Sequence, residues 1–162
     1  AWREELGAHA LLDAPGAFGE NLSSSGVTEA DLCLGDRLRL GTSLVEVSQS
    51  RQPCWKLSDR FGVAALARRV QDSGRTGWYY RVLQPGEVAA GDSLVLLERP
   101  YPQWPLARLV GLLYRREIDP AQLQEVLALP LVPNWRTLFE RRPAQRAVED
   151  WDKRLLGQAA AE

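Results

Sequence analysis

The chain has 162 residues, 45% apolar and 25% charged, the balance of a globular protein with one ordinary core and room for a small appendage. Twenty Lys and Arg against 21 Asp and Glu leave a net charge of -1, which argues against nucleic-acid or anionic-membrane binding by whole-molecule electrostatics. No apolar run reaches the roughly 18 residues of a membrane span, and two cysteines with one histidine argue against a zinc cluster. Nothing marks the chain as secreted, so the expected setting is a reducing cytoplasm. It contains no methionine and reads as processed or trimmed.

In chain order, residues 1–13 (AWREELGAHALLD) read as a helix. Residues 34–40 (LGDRLRL) alternate apolar and polar, the period of a half-buried strand, and 44–49 (LVEVSQ) alternate again. With Gly41, Thr42 and Ser43 between them, the two form a hairpin. Residues 59–73 read as one helical stretch with Gly74 as its C-cap. Residues 77–83 (GWYYRVL) and 93–98 (SLVLLE) are further strands. The segment AGDSLVL at 90–96 echoes LGDRLRL, and in both the Gly-Asp pair can form the corner by which a strand enters a sheet. Short strands with such corners fit a small β-barrel better than a parallel α/β sheet.

After Pro100 the pattern turns helical. Leu106, Leu109, Val110 and Leu113 follow i, i+3, i+4, i+7 spacing. Asp119 caps a helix that Pro120 opens and Pro130 closes. Pro133 opens another over WRTLFERR, and AQRAVEDWDKRLLG forms the last. The expected organisation is a mainly β chain, a barrel at residues 1–100 followed by a helical extension at 101–162. The extension reads as a packing appendage or a homodimer surface.

Two stretches could carry chemistry. GAFGENLSSSG (residues 16–26) combines flexible glycines with Glu20, Asn21 and three serines, and could present amides to an anion; its composition is equally that of a surface loop. SQSRQPCWKL (residues 48–57) places Cys54 near Arg51 and Lys56, cations that would stabilise a thiolate if their side chains approach it. Such a thiolate suits soft metals, and the same cations with Ser48 and Ser50 could hold a phosphate. The competing reading is a half-buried structural cysteine, the commoner fate of a free thiol. Cys33, between leucines, belongs to the core, and His9 has no evident catalytic partner. Trp55, Trp78, Tyr79 and Tyr80 could line a pocket for a flat heterocycle or fill the barrel.

Taken in order, FGENL, GDRLRL, EVSQSRQPCWKL and GWYYRV, followed by the helical end, resemble a MOSC domain of the YiiM type over nearly the whole chain. The resemblance implies a β-barrel that binds the molybdenum cofactor (molybdopterin), followed by a three-helix extension. It implies reductase activity on small N-hydroxylated compounds such as hydroxylamino purines, with electrons from a redox protein. Cys54 would ligate molybdenum, and Ser48, Arg51 and Lys56 would meet the cofactor's anionic edge. Gly19, Glu20 and Asn21 would sit at the same pocket. The alternative is a carrier that holds the cofactor, or a sulfur, without turnover. Only about fifteen residues precede FGENL, fewer than in the family, so the barrel is expected to be N-terminally incomplete in this chain.

Overall fold

A computed structural model describes residues 1–114, 119–145 and 148–157. Its centre is a four-stranded antiparallel sheet of β1 (Arg37–Leu40), β2 (Ser43–Ser50), β3 (Trp78–Gln84) and β4 (Leu94–Glu98), in the order β3-β2-β1-β4. The hairpin closes at the Leu40–Ser43 pair, as the alternation predicts. Val45, Val47 and Leu38 point to the buried face, where Leu32 and Leu106 cover them. The sheet-centred fold with a helical end is the one expected. Among the described residues, however, the sheet is open, because β3 and β4 are not hydrogen-bonded to each other.

The repeated Gly-Asp corners are the same local device. The Cys33 amide donates to the Asp36 carboxylate (2.9 Å) and the Asp36 amide to the Cys33 carbonyl (3.1 Å). At the second corner, Ala89 donates to the Asp92 carboxylate (2.7 Å) and Asp92 back to the Ala89 carbonyl (3.2 Å). Gly35 and Gly91 supply the positive φ that each corner requires. The first corner differs in being buried, and Arg99 grips the fully buried Asp36 through Nε and Nη2.

Two expected helices are broken. The N-terminal one ends at Leu6 (α1, Trp2–Leu6), because Gly7 leaves helical geometry and His9 caps a separate 3-10 turn, Ala10–Asp13. The stretch 59–73 divides into α2 (Lys56–Phe61) and α3 (Leu66–Ser73), with Gly62 and Ala65 left-handed between them. The Ser58 hydroxyl accepts from the Ala67 amide at 3.0 Å, so the cap of α3 comes from α2 rather than from the preceding residue. Gly74 closes α3 as expected.

Three helices follow the sheet: α4 (Leu106–Tyr114), α5 (Pro120–Leu127) and α6 (Pro133–Gln145). Asp119 caps α5 through the Ala121 amide at 2.9 Å. Residues 115–118, the expected end of α4, lie outside the described residues. Helix α6 passes through Pro143, so the expected break before AQRAVEDWDKRLLG is absent. The last helix is shortened to α7 (Asp152–Leu156), and residues 146 and 147 of the expected helix are not described. Leu109, Leu112, Leu113, Leu123, Val126, Trp135 and Phe139 form the helical core, which also takes in Leu34 from the sheet region. Inside it, the buried Arg142 donates to the carbonyls of Leu112 (2.9 Å) and Leu113 (2.6 Å) and pairs with Glu149 (2.8 Å). Two carbonyls near the end of α4 thereby receive side-chain donors.

Candidate functional site

Strand β2 ends at Ser50, and the chain then crosses Arg51, Gln52, Pro53, Cys54 and Trp55 into α2. The Arg51 amide donates to the Gly77 carbonyl at 2.9 Å, which ties the start of this loop to the base of β3. The Leu57 amide donates to the Cys54 carbonyl at 2.9 Å, so the cysteine lies at the first turn of α2. Leu57 and Phe61 sink that helix into the core. Cys54 is thus a free, half-buried thiol on a turn anchored at both ends.

The expected neighbours of Cys54 are not equivalent. The Arg51 guanidinium is in no ion pair among the described residues, which leaves its donors for an anion. Lys56 instead lies over the exposed Trp55 ring, 5.9 Å from the centroid. Ser48 is the extra residue of a bulge between β2 and β3, and its hydroxyl donates to the Tyr79 carbonyl at 3.0 Å. Ser50 is fully buried, and its hydroxyl has no hydrogen-bond partner among the described residues. A buried hydroxyl without a partner costs free energy, so its position beside the loop is informative.

The FGENL loop is organised around Glu20. Its carboxylate accepts from the amides of Gly16 (2.7 Å) and Phe18 (2.9 Å) and from the Ser23 hydroxyl (2.8 Å). Burial works against the charge, but the hydrogen bonds from the Glu20, Gly16 and Phe18 amides and from Ser23 hold the carboxyl below its ordinary range. Gly19 takes the positive φ that closes this turn, and Asn21 is exposed. Arg60 of α2 donates to the carbonyls of Ala17 (2.7 Å) and Gly16 (3.1 Å). The FGENL loop and the cysteine turn are therefore fixed to opposite ends of one short helix. Sequence reasoning missed Arg60, because its partners lie 43 and 44 residues away.

The remaining candidates are structural. Cys33 is buried with its sulfur 3.6 Å from the Pro102 carbonyl; burial and Asp36 push the thiol up, against a smaller pull from Arg99. The His9 ring accepts from the Leu11 amide (3.3 Å) on Nδ1, and its Nε2 bonds the Phe61 carbonyl (2.8 Å). Trp78 and Tyr80 pack on the sheet core, whereas Tyr79 and Trp55 are exposed. An open depression of about 710 Å³, lined by Gly41, Thr42, Glu87, Val88, Ala89 and Asp92, lies at the other end of β2. Its Thr42 and Asp92 side chains are already bonded to Glu87 and Ala89.

The cofactor implied by the sequence resemblance needs a thiolate for its metal and cations or hydroxyls for its phosphate. Cys54 and Arg51 are of the types these needs call for and lie three residues apart in the chain, while the Ser50 hydroxyl is of a suitable type but is fully buried at the end of β2. No cluster of three or more His, Cys, Asp or Glu occurs among the described residues. A single-cysteine site asks for no such cluster.

Residues 1–95 match the family model described as MOSC domain, and residues 104–146 the one described as YiiM-like, 3-alpha helix domain. The chain is 34% identical over 157 residues to Protein YiiM of Escherichia coli K12, covering 96% of this chain and 70% of that protein. It is 38% identical over 142 residues to a Gibberella moniliformis protein named Reductase, covering 87% of this chain but 25% of that one. The crystal structure of YiiM from Escherichia coli superposes with a TM-score of 0.87 at 34% identity, covering 96% of this chain and 78% of that one. With more than half its length in one family model, and the helical end in a second, the chain belongs to the MOSC-domain family, among its YiiM-like members.

Proposed function

We propose that this chain carries the metal-ligating thiolate of a molybdenum-cofactor-dependent reductase of N-hydroxylated compounds, with hydroxylamino purines as the substrate class. The observation that carries the reading is a free, half-buried Cys54 on an anchored turn, three residues in the chain after Arg51, which is in no ion pair among the described residues. Membership of a cofactor-binding domain family, and a relative named Reductase, support the reaction type.

In this reading Cys54 ligates molybdenum, and Arg51 and Ser50 bond the anionic edge of the cofactor. Asn21 forms the outer edge of the pocket, while Gly19 and Glu20 shape its loop. Ser48 and Lys56 join the anionic edge only by leaving Tyr79 and Trp55. When bound, the cofactor supplies two-electron redox chemistry. The net reaction breaks the N–O bond of R–NH–OH, takes two electrons from a redox protein and two protons, and yields R–NH2 and water. The protein's contribution is orientation and electrostatics.

The test is to purify the protein from a host that makes the cofactor, then measure molybdenum content and reduction of a hydroxylamino purine with a supplied electron donor. Cys54→Ala should fold, lose bound molybdenum and lose turnover. A carrier is the competing reading; it predicts molybdenum or sulfur bound at Cys54 without turnover.

A further inference from the structure

The loop that presents Cys54 has a second wall, outside both matched family segments. Helix α7 meets it at three residues that flank the cysteine, Gln52, Pro53 and Trp55. The Arg154 guanidinium donates from Nη2 to the Gln52 carbonyl (2.9 Å) and from Nε to the Pro53 carbonyl (3.1 Å). The Trp55 amide donates to the Arg154 carbonyl (2.9 Å). Gly157 closes the contact: a Cβ there would stand 3.1 Å from the Trp55 ring.

Independent contacts hold α7 in place. Leu155 is buried among Leu57, Phe61, Leu66, Ala67 and Val70. Trp151 meets the Tyr114 ring edge-on at 5.4 Å, and Asp152 pairs with Arg68 of α3. Burial pushes the Tyr114 phenol well above its usual range, and Arg154 and Gln52 pull against that shift. The guanidinium therefore sits where the cysteine loop, the end of α4 and α7 converge.

We infer that Arg154 is a positioning residue for Cys54: by holding the carbonyls of the two residues before the cysteine, it fixes the angle and depth at which the thiol is presented. The inference rests on the reading of Cys54 as the ligating thiol. A planar guanidinium suits the task, since its fork reaches two adjacent carbonyls at once. A lysine ammonium has the charge but not the fork. Without the guanidinium, the Trp55 amide is the remaining backbone bond between the loop and α7.

The experiment compares Arg154→Ala, Arg154→Lys and Arg68→Ala with the unaltered chain. Arg68→Ala weakens the anchorage of α7 without touching the loop. Two quantities are read: hydrogen exchange of the segment containing Trp55, and the pH profile of Cys54 alkylation by iodoacetamide, followed by peptide mass spectrometry. Arg154→Ala should speed exchange by about tenfold and alkylation by about fivefold, since loss of charge-assisted bonds opens the loop locally. Arg154→Lys should fall between it and the unaltered chain, and Arg68→Ala should stay within about twofold. If Arg154→Ala does not fold, Arg154→Lys carries the comparison. Arginine variants within about twofold of the unaltered chain overturn the inference. An Arg68→Ala effect as large as theirs does so too. Neither readout needs the cofactor, so failure of the functional reading, seen as absence of molybdenum or turnover, is distinguished from failure of the Arg154 contacts to hold the loop.

Discussion

At the scale of single residues, the two cysteines divide by environment. Cys33 is 2% exposed, and both burial and Asp36 disfavour its thiolate. Cys54 is half-buried on a turn. Iodoacetamide at neutral pH should therefore label Cys54 and spare Cys33 in the folded protein, as peptide mass spectrometry would show. Glu20 gives a pH dependence with a definite sign. Its folded value is lowered, so its contribution is complete above its ordinary value of 4.5 and is lost as pH falls through the lower folded value. The melting-temperature gap between Glu20→Gln and the unaltered chain should be open at neutral pH and close in acid. Arg142 is the residue whose loss should cost most. Truncation to alanine removes the Arg142 donor from Glu149 and from two α4 carbonyls, and should cost about 3 kcal/mol in denaturant unfolding.

At the scale of elements, Ser58 tests how the helices after the cysteine are built. It caps α3 from the middle of α2, so Ser58→Ala should cost about 1 kcal/mol and lower the melting temperature. In the sequence, residues 59–73 read as one helix. Gly62, which closes α2 in left-handed geometry, was the local sign of a break; the cap that restarts α3 comes from a contact across nine residues. The hairpin and the Gly-Asp corners were legible because turn chemistry is local; the Asp carboxylate and the glycine φ lie within four residues of each other. Cys54 stood out in the sequence as a candidate by its neighbours in the chain, but where those neighbours' side chains go was not legible. Whether Lys56 turns to the sulfur or to Trp55, and whether Ser48 serves a ligand or a bulge, depends on tertiary contacts. The walls supplied by Arg60 and α7 left no local trace, since the Arg154 contacts span 101 and 102 residues.

For the whole molecule, the open sheet leaves apolar side chains at both edges. Val82 and Leu83 on β3, and Val95, Leu96 and Leu97 on β4, are exposed. Such edges pair with other chains unless they are covered. This chain should self-associate as concentration rises in analytical ultracentrifugation, and Leu96→Lys should suppress that association. The helical end packs through Leu106 onto the sheet and through α7 onto the cysteine loop, so both parts of the chain converge on one loop. If this loop offers a metal-ligating thiolate, protein made in a cofactor-producing host should hold near-stoichiometric molybdenum, and folded Cys54→Ala should hold none. Equal molybdenum in both proteins would rule out ligation by Cys54.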